Sequence, residues 1–315
     1  MRILVTGGAG FIGSHVVDGY LRRGHEVAVL DNLSRGFRRN VNPDAAFYQG
    51  DILERASVEK VFAEFRPDVV NHHAAQMDVR RGVREPVFDA QVNILGSLNL
   101  LEAAVSHKTR HVIYISTAGA AYGEPEHLPV PENCPINPIT PYGISKHTVE
   151  HYLYTFSYLY GLSYAVLRYG NVYGPRQNSQ GEAGVFAIFC EQILAGIQPV
   201  IYGDGTKTRD YVYIDDVVEA NAAALDRGQN EIFNIAGGTA TADSQIFSLV
   251  CDLLGKSGLQ PRYARRRPGE IQEICLDISK ARQRLGWAPQ VPLIEGARRT
   301  VAFFQQNLEL AARAL

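Results

Sequence analysis

The chain has 315 residues, 46% of them hydrophobic, enough to bury a full core as one large or two smaller domains. A formal net charge of -2 provides no broad basic field, which argues against nucleic acid as a partner. No apolar run approaches the ~18 residues of a membrane span, and MRILVTGG reaches glycine too soon for a signal-peptide core, so a cytoplasmic protein with no membrane partner is expected.

Met1 to Gly13 reads as a buried strand, a glycine turn and the start of a helix. Ile3, Leu4 and Val5 form a short apolar run without polar alternation, as expected of a parallel strand covered on both faces. Gly7, Gly10 and Gly13 let the backbone turn tightly, approach a pyrophosphate and pack the helix on its strand, with the helix N-terminus aimed at the anion. The motif alone is weak, and its surroundings supply the weight. An amphipathic helix with Ile12, Val16, Val17 and Leu21 follows, and a second strand, Glu26 to Leu30, ends at Asp31. That acid lies near the ~20-residue offset at which a carboxylate takes the ribose hydroxyl. Asn32, Leu33, Ser34, Arg35 and Gly36 then read as a loop over the ribose end of the cofactor. Asp31 would repel a 2'-phosphate, partly offset by Arg35, so NAD is favoured over NADP.

A third strand, Ala46 to Gln49, runs into Gly50, Asp51 and Ile52. Asp51 either bonds the adenine amino group or caps the helix around Ser57 to Phe65. The fourth strand, Asp68 to His72, ends in Ala74, Ala75 and Gln76, small enough for a ligand to lie on the backbone or simply for close packing. His72 and His73 are adjacent, so on a strand they face opposite sides and cannot chelate one ion together. Cys134, Cys190, Cys251 and Cys275 show no CxxC spacing and read as buried free thiols, and no metal is expected. A helix from about Val87 to Val105 is apolar around more than one face, which suits burial against the sheet and a second subunit. Asn93 inside it is expected to bond the neighbouring loop.

Strand five, His111 to Ser116, delivers Ser116, Thr117 and the run to Gly123 at the sheet edge where an open parallel sheet binds its ligand. After a loop holding Pro125, Pro129, Pro131, Pro135, Pro138 and Pro141, a helix runs from Tyr142 to about Tyr160. Tyr142 and Lys146 stand at i and i+4 and project from one helical face. A tyrosine with a pKa of ~10 is a poor base, and a nearby ammonium stabilises its phenolate; a drop of ~3 units needs about 4 kcal/mol. A sixth strand, Tyr164 to Arg168, completes the alternation of a doubly wound parallel sheet, an α/β Rossmann domain over residues 1–175. Residues 176–315 then mix helices (Val185 to Ala195, Asp215 to Leu225, Asp243 to Leu254, Ile294 to Gln306) with strands at Val200 to Tyr202 and Ile232 to Ile235. This reads as a smaller C-terminal α/β lobe, with the segment near 230–236 able to return to the main sheet. Arg209, Arg266 and Arg267 can clamp a diphosphate from that lobe, whereas Arg262 and Arg265 read as surface residues.

In order along nearly the whole chain, TGGAGFIG at Thr6 to Gly13, DNLSRG at Asp31 to Gly36, GDI at Gly50 to Ile52, HHAAQ at His72 to Gln76, YGISK at Tyr142 to Lys146, NVYGPRQ at Asn171 to Gln177, TRDYVYIDD at Thr208 to Asp216 and RRPGEI at Arg266 to Ile271 resemble the signatures of the extended short-chain dehydrogenase/reductase family. Within it they look like the nucleotide-sugar epimerases of the UDP-glucose 4-epimerase type. The resemblance implies an NAD site lined by the glycine turn with Phe11 and Ile12, by Asp31 to Gly36, Asp51, Ile52, His73, Ala74, Ala75, Gln76, Met77 and Asn93, and by Tyr142 and Lys146. Tyr142 would be the acid/base and Lys146 its partner, also bonding the nicotinamide ribose. Asn171, Val185, Phe186, Val200, Ile201, Tyr202, Arg209, Arg267 and Glu270 match positions that hold the nucleoside diphosphate half of a nucleotide-sugar substrate. The implied reaction inverts C4 of UDP-glucose or UDP-galactose through a transient 4-keto sugar, with NAD regenerated each cycle.

One departure stands out. The hydroxyl that usually bonds the sugar oxygen beside the tyrosine falls on Ala118 here, and Thr117 is taken to replace it, with Ser116 as the alternative. Gly119, Ala120 and Ala121 lack the acids that dehydratase and decarboxylase relatives carry before the Tyr-Gly pair. The rival readings are an epimerase or reductase of another UDP- or dTDP-sugar, N-acetylated or a uronic acid, and an NAD-binding regulatory protein without turnover. The last would be marked by loss of the Tyr-Lys pair, and both residues are present. The resemblance also pairs the two broad apolar helices across a homodimer.

Overall fold

The computed structural model describes residues 1–179, 184–267 and 270–313, with side chains described as far as Asn307. Its strands are β1 (Arg2–Thr6), β2 (Glu26–Asp31), β3 (Ala46–Gln49), β4 (Val69–His72), β5 (His111–Thr117), β6 (Ser163–Tyr169), β7 (Asn171–Tyr173), β8 (Val200–Tyr202), β9 (Thr208–Tyr213), β10 (Glu231–Ile235), β11 (Ala240–Ala242) and β12 (Arg262–Ala264). The helices are α1 (Phe11–Arg22), α2 (Arg55–Phe65), α3 (Val79–Arg84), α4 (Pro86–Ala90), α5 (Gly96–Ser106), α6 (Gly119–Tyr122), α7 (Pro141–Tyr160), α8 (Val185–Leu194), α9 (Ile214–Ala224), α10 (Asp243–Leu253) and α11 (Leu293–Arg313).

The central sheet has the order β10-β6-β5-β4-β1-β2-β3, with every neighbouring pair parallel. Strand alternation divides its apolar residues between two layers. Ile3 and Val5 pack with Val16, Val17 and Tyr20 of α1, while Leu4 faces the opposite layer with Val58, Val61 and Phe62 of α2 and Leu100 and Leu101 of α5. That is why β1 reads as an unbroken apolar run: both of its faces are covered. The first layer continues through Val217 and Ala224 of α9 to Phe189, Phe247 and Trp287. Helix α9 packs on α1 and β10 pairs with β6, so the segment from Ile214 to Ile235 returns to the main sheet. Beside it stand a three-stranded sheet, β11-β9-β7, and the pair β12-β8.

Several elements differ from the sequence reading. The single helix expected over Val87 to Val105 is divided into α4 and α5 by a π-helical turn at Gln91–Leu95 that carries the buried Asn93. Helices α3 and α6, to which the sequence reading assigned no element, are too short for a 3.6-residue period to register. Pro141, grouped with the loop prolines, is the first residue of α7, where its missing N–H costs nothing, and Thr140 caps the helix by accepting from the Gly143 amide at 3.2 Å. Asp51 does not cap α2, because Glu54 takes that position; Asp51 instead accepts from the Leu53 amide at 2.9 Å and from Asn32 Nδ2 at 2.8 Å. All four cysteines are free, two buried and two half-buried.

Candidate active site

Strand order reverses at β1, whose neighbours are β2 and β4, and the carboxyl ends of β1 and β4 therefore border the crevice where open α/β sheets bind ligands. The glycine turn leaves β1 there, and His73 to Met77 leave β4 beside it. The two segments touch closely: a Cβ on Gly7, whose φ is +70°, would lie 2.7 Å from the Ala74 nitrogen. Only glycine admits both that φ and that approach. Gly10 opens α1 without a side-chain cap, so the first-turn amides are offered to a ligand. Asp31 Oδ2 accepts from the Ala9 amide at 3.0 Å and Oδ1 from the Leu33 amide at 2.8 Å, which fixes the carboxylate between the turn and the Asn32 to Gly36 loop. Arg35 is drawn to Asp78 at 3.0 Å. His73 Nε2 is buried with no hydrogen-bond partner among the described residues, and burial followed by the Lys146 charge pushes that imidazole down to about 3. An open anion cradle, an anchored acid at the second strand and an orphaned polar atom at the fourth together fit a dinucleotide.

Asn93 does bond the neighbouring loop, and it also reaches α7. Its Oδ1 accepts from the Gln76 amide at 2.8 Å, while its Nδ2 donates to the Gln76 carbonyl at 3.0 Å and to Ser145 Oγ at 3.1 Å. Ser145 Oγ donates in turn to Asp89 Oδ1 at 2.7 Å, and Gln76 Nε2 donates to Asp89 Oδ2 at 3.0 Å. The π-turn is what aims Asn93 inward, and the network ties the loop after β4 to the helix that carries Tyr142 and Lys146.

At the head of α7, a Cβ on Gly143 would lie 2.1 Å from the Ala120 carbonyl, so α7 rests directly on α6. This contact places Tyr142 beside the end of β5. Lys146 is 3% exposed, with its ammonium 4.3 Å from the Tyr114 ring centroid. Burial pulls Lys146 down to about 7 against the charges of Glu150 and Asp89. The same burial, with Asp89 adding to it, raises the Tyr142 hydroxyl above its ordinary value, opposite to the lowering expected from the Tyr-Lys spacing. Desolvation penalises whichever form is charged, so it raises the tyrosine, lowers the lysine and drives the two apart. Lowering Tyr142 therefore calls for positive charge in addition to Lys146.

Ser116 and Thr117 have different surroundings. Ser116 Oγ is buried and donates to Glu150 Oε1 at 2.6 Å. Glu150 is also gripped by Arg168, with Nε to Oε1 at 3.0 Å and Nη2 to Oε2 at 2.5 Å, and both side chains are 2% exposed. Burial alone would raise this carboxyl, and hydrogen bonds from His147 and Arg168, the Arg168 charge and Ser116 outweigh it and hold Glu150 at about 2. Thr117, next along β5, points to the other face, is half-buried and has no side-chain hydrogen bond among the described residues. Neither Asp89 nor the Glu150–Arg168 pair is marked by any sequence motif.

The residues matched to the nucleoside diphosphate divide by exposure. Phe186 stacks on Tyr173 at 4.3 Å within the core and Ile201 is 2% exposed, so each offers a ligand its backbone only. Asn171, Val185, Val200, Tyr202 and Arg209 are half-buried. The Arg267 guanidinium lies 3.6 Å from the Tyr202 ring centroid, and Glu270 pairs with Lys207 at 3.1 Å. Pro268 and Gly269 of the RRPGEI motif lie outside the described residues, as does part of the Gln177 to Gly184 stretch.

Residues 3–236 match the model of the NAD dependent epimerase/dehydratase family. A UDP-glucose 4-epimerase of Mycolicibacterium smegmatis is 43% identical over 313 residues, 98% of this chain and 99% of that protein. The crystal structure of a Thermotoga maritima UDP-glucose 4-epimerase with UDP-glucose superposes with a TM-score of 0.96 at 49% identity, covering 98% of this chain and 100% of the other. A Thermus thermophilus UDP-glucose 4-epimerase in complex with NAD gives 0.92 at 45% identity, covering 97% and 99%. Identity at this level over nearly the full length, with the family model matched over residues 3–236, establishes that the chain belongs to the NAD dependent epimerase/dehydratase family.

Proposed function

We propose that this protein interconverts UDP-glucose and UDP-galactose by NAD-dependent inversion at C4. The observation that carries the reading is the placement of Tyr142 and Lys146 at the head of α7, linked through Ser145 and Asn93 to the loop that faces the glycine turn. NAD bound at the switch point would supply the hydride acceptor and donor and a positive nicotinamide ring. Tyr142 takes the proton of the sugar 4-hydroxyl and returns it after the 4-keto sugar has turned over. Lys146, one helical turn away, stabilises the phenolate and orients the cofactor ribose. Thr117 holds the sugar oxygen beside Tyr142, since the Ser116 hydroxyl is given to Glu150. The lobe from residue 176 onward supplies Arg209, Arg267 and Glu270 to the diphosphate half. The test is to incubate purified protein with UDP-glucose without added reductant. UDP-galactose should appear, and denaturing the protein should release NAD or NADH. Turnover of an N-acetylated, uronic or dTDP-sugar alone would reassign the substrate, and bound NADP, or no NAD bound at all, would end the reading.

Thr117→Val should slow turnover ten-fold or more, about 1.4 kcal/mol in the barrier, while leaving NAD content unchanged. A Thr117→Val protein as fast as wild type would remove Thr117 from the site.

The same chain is proposed to be a homodimer. Val87 and Leu95 are 70% and 53% exposed, and Ile144, Tyr154 and Tyr158 of α7 are 52%, 64% and 80% exposed. Helices α4 and α5 pack against α7, so these residues lie on neighbouring rods able to form a four-helix contact with a second copy. Sedimentation at micromolar concentration should give twice the chain mass; a monomer would contradict it. No described helix is long and apolar enough to cross a membrane, and a cytoplasmic location is part of this reading.

A further inference from the structure

Lys207 stands immediately before β9, and two carboxylates share its ammonium: Asp243 Oδ2, from the first residue of α10, at 3.1 Å and Glu270 Oε2 at 3.1 Å. The Lys207 and Asp243 side chains keep only 14% and 7% of their surface. The Asp243 amide also donates to the Lys207 carbonyl at 3.0 Å, so backbone and side chain together tie this lysine to the start of α10. Its ammonium is a fixed charge. Glu270 faces a second cation as well. Arg267 Nη1 stands 3.7 Å from Glu270 Oε1, beyond hydrogen-bond length, while its guanidinium lies over the Tyr202 ring at 3.6 Å from the centroid. Lys207 and Arg267 thus compete for one carboxylate, and Lys207 holds it.

The outcome of that competition decides what Arg267 can offer an anion. A guanidinium fork fits a phosphate as well as a carboxylate, and it can serve only one of them fully. With Glu270 held on Lys207, the fork is open to a phosphate. Without the ammonium, two carboxylates would share the single Arg267 cation, and Glu270 would need to move only about 1 Å to reach the 2.7–2.9 Å of a charge-assisted bond. A carboxylate drawn out of water that has lost its cation is costly, which drives that move. An incoming diphosphate would then have to displace an internal carboxylate.

We propose that Lys207 is a positioning residue for the nucleoside diphosphate: it holds Glu270 off Arg267 and so keeps Arg267 free for a phosphate. The proposal rests on the reading that Arg267 and Glu270 meet the diphosphate half of the substrate. UDP is titrated calorimetrically into the purified holoenzyme, with Lys207→Met introduced into three backgrounds: wild type, Glu270→Gln and Asp243→Asn. In the wild type the substitution should weaken UDP at least ten-fold and raise KM for UDP-glucose to match with kcat unchanged, the mark of binding lost equally from ground state and transition state. In the Glu270→Gln background it should cost less than about two-fold, since no carboxylate is left to occupy Arg267. In the Asp243→Asn background it should again cost ten-fold, although that double variant has the net charge of the wild type; a loss caused by charge at a distance would be relieved there. The same background carries the test if Lys207→Met alone does not fold, because it leaves no buried aspartate unpaired. UDP bound equally with and without Lys207 in the wild-type or Asp243→Asn background, or a cost in Glu270→Gln as large as in the wild type, overturns the proposal alone. A wild-type protein that binds no UDP overturns the reading beneath it as well.

Discussion

Tyr142→Phe should leave the fold and the NAD content intact while lowering turnover by ~10²–10⁴, the span usual for general acid/base work. The ring itself is retained, and the hydroxyl makes no hydrogen bond among the described residues that the fold would lose. What disappears is the hydroxyl proposed to take and return the sugar proton. Lys146→Met should be slowed to a similar degree but should also weaken NAD, because in the proposed mechanism the ammonium serves both phenolate and ribose; that split between the two variants distinguishes a proton carrier from a cofactor ligand. The contrary burial effects sharpen the expectation, since burial raises the Tyr142 hydroxyl and its proton transfer therefore needs positive charge beyond the protein surroundings. Unimpaired epimerisation by Tyr142→Phe would require the mechanism to be abandoned.

Arg168→Met should cost about 3–5 kcal/mol of stability, read from urea denaturation, because it leaves the Glu150 carboxylate buried without its cation. Arg168 also donates to the Tyr122 hydroxyl at 2.8 Å, which in turn donates to Asn234 Oδ1 at 2.8 Å, so the loss reaches the edge strand β10. A double variant, Arg168→Met with Glu150→Leu, should be less destabilised than Arg168→Met alone, since two apolar groups can pack where an unpaired charge cannot. The acid dependence follows the same logic. Glu150 is held at about 2 in the folded protein, below its unfolded value of ~4.3, so its contribution is fully present above roughly pH 5 and is lost as pH falls toward 2. Arg168→Met should flatten that acid limb of the stability curve. A variant as stable as wild type, with the same limb, would show that the pair carries little.

The sequence by itself determined the elements whose causes are local. The glycine turn, the apolar run of β1, Asp31 at the end of β2 and the Tyr142–Lys146 spacing each depend on residues close along the chain, and each lies where its pattern put it. The periods of strand and helix are properties of short backbone, and a turn needs its glycine whatever surrounds it. What could not be read were the bonds between elements. Asp89 meets Ser145 across 56 residues and Tyr122 meets Asn234 across 112, and no motif marks either end. Those pairings exist only once the sheet order and the rotation of α7 are set, and the π-turn that aims Asn93 inward is a local departure that a 3.6-residue period hides. The choice between Ser116 and Thr117 shows the division most plainly. The sequence placed both hydroxyls at the end of one strand, and a shift of one residue exchanges the two faces. Only the register of β5 on β6, which sets Ser116 opposite Arg168, decided which hydroxyl is spent on Glu150 and which keeps no side-chain bond among the described residues.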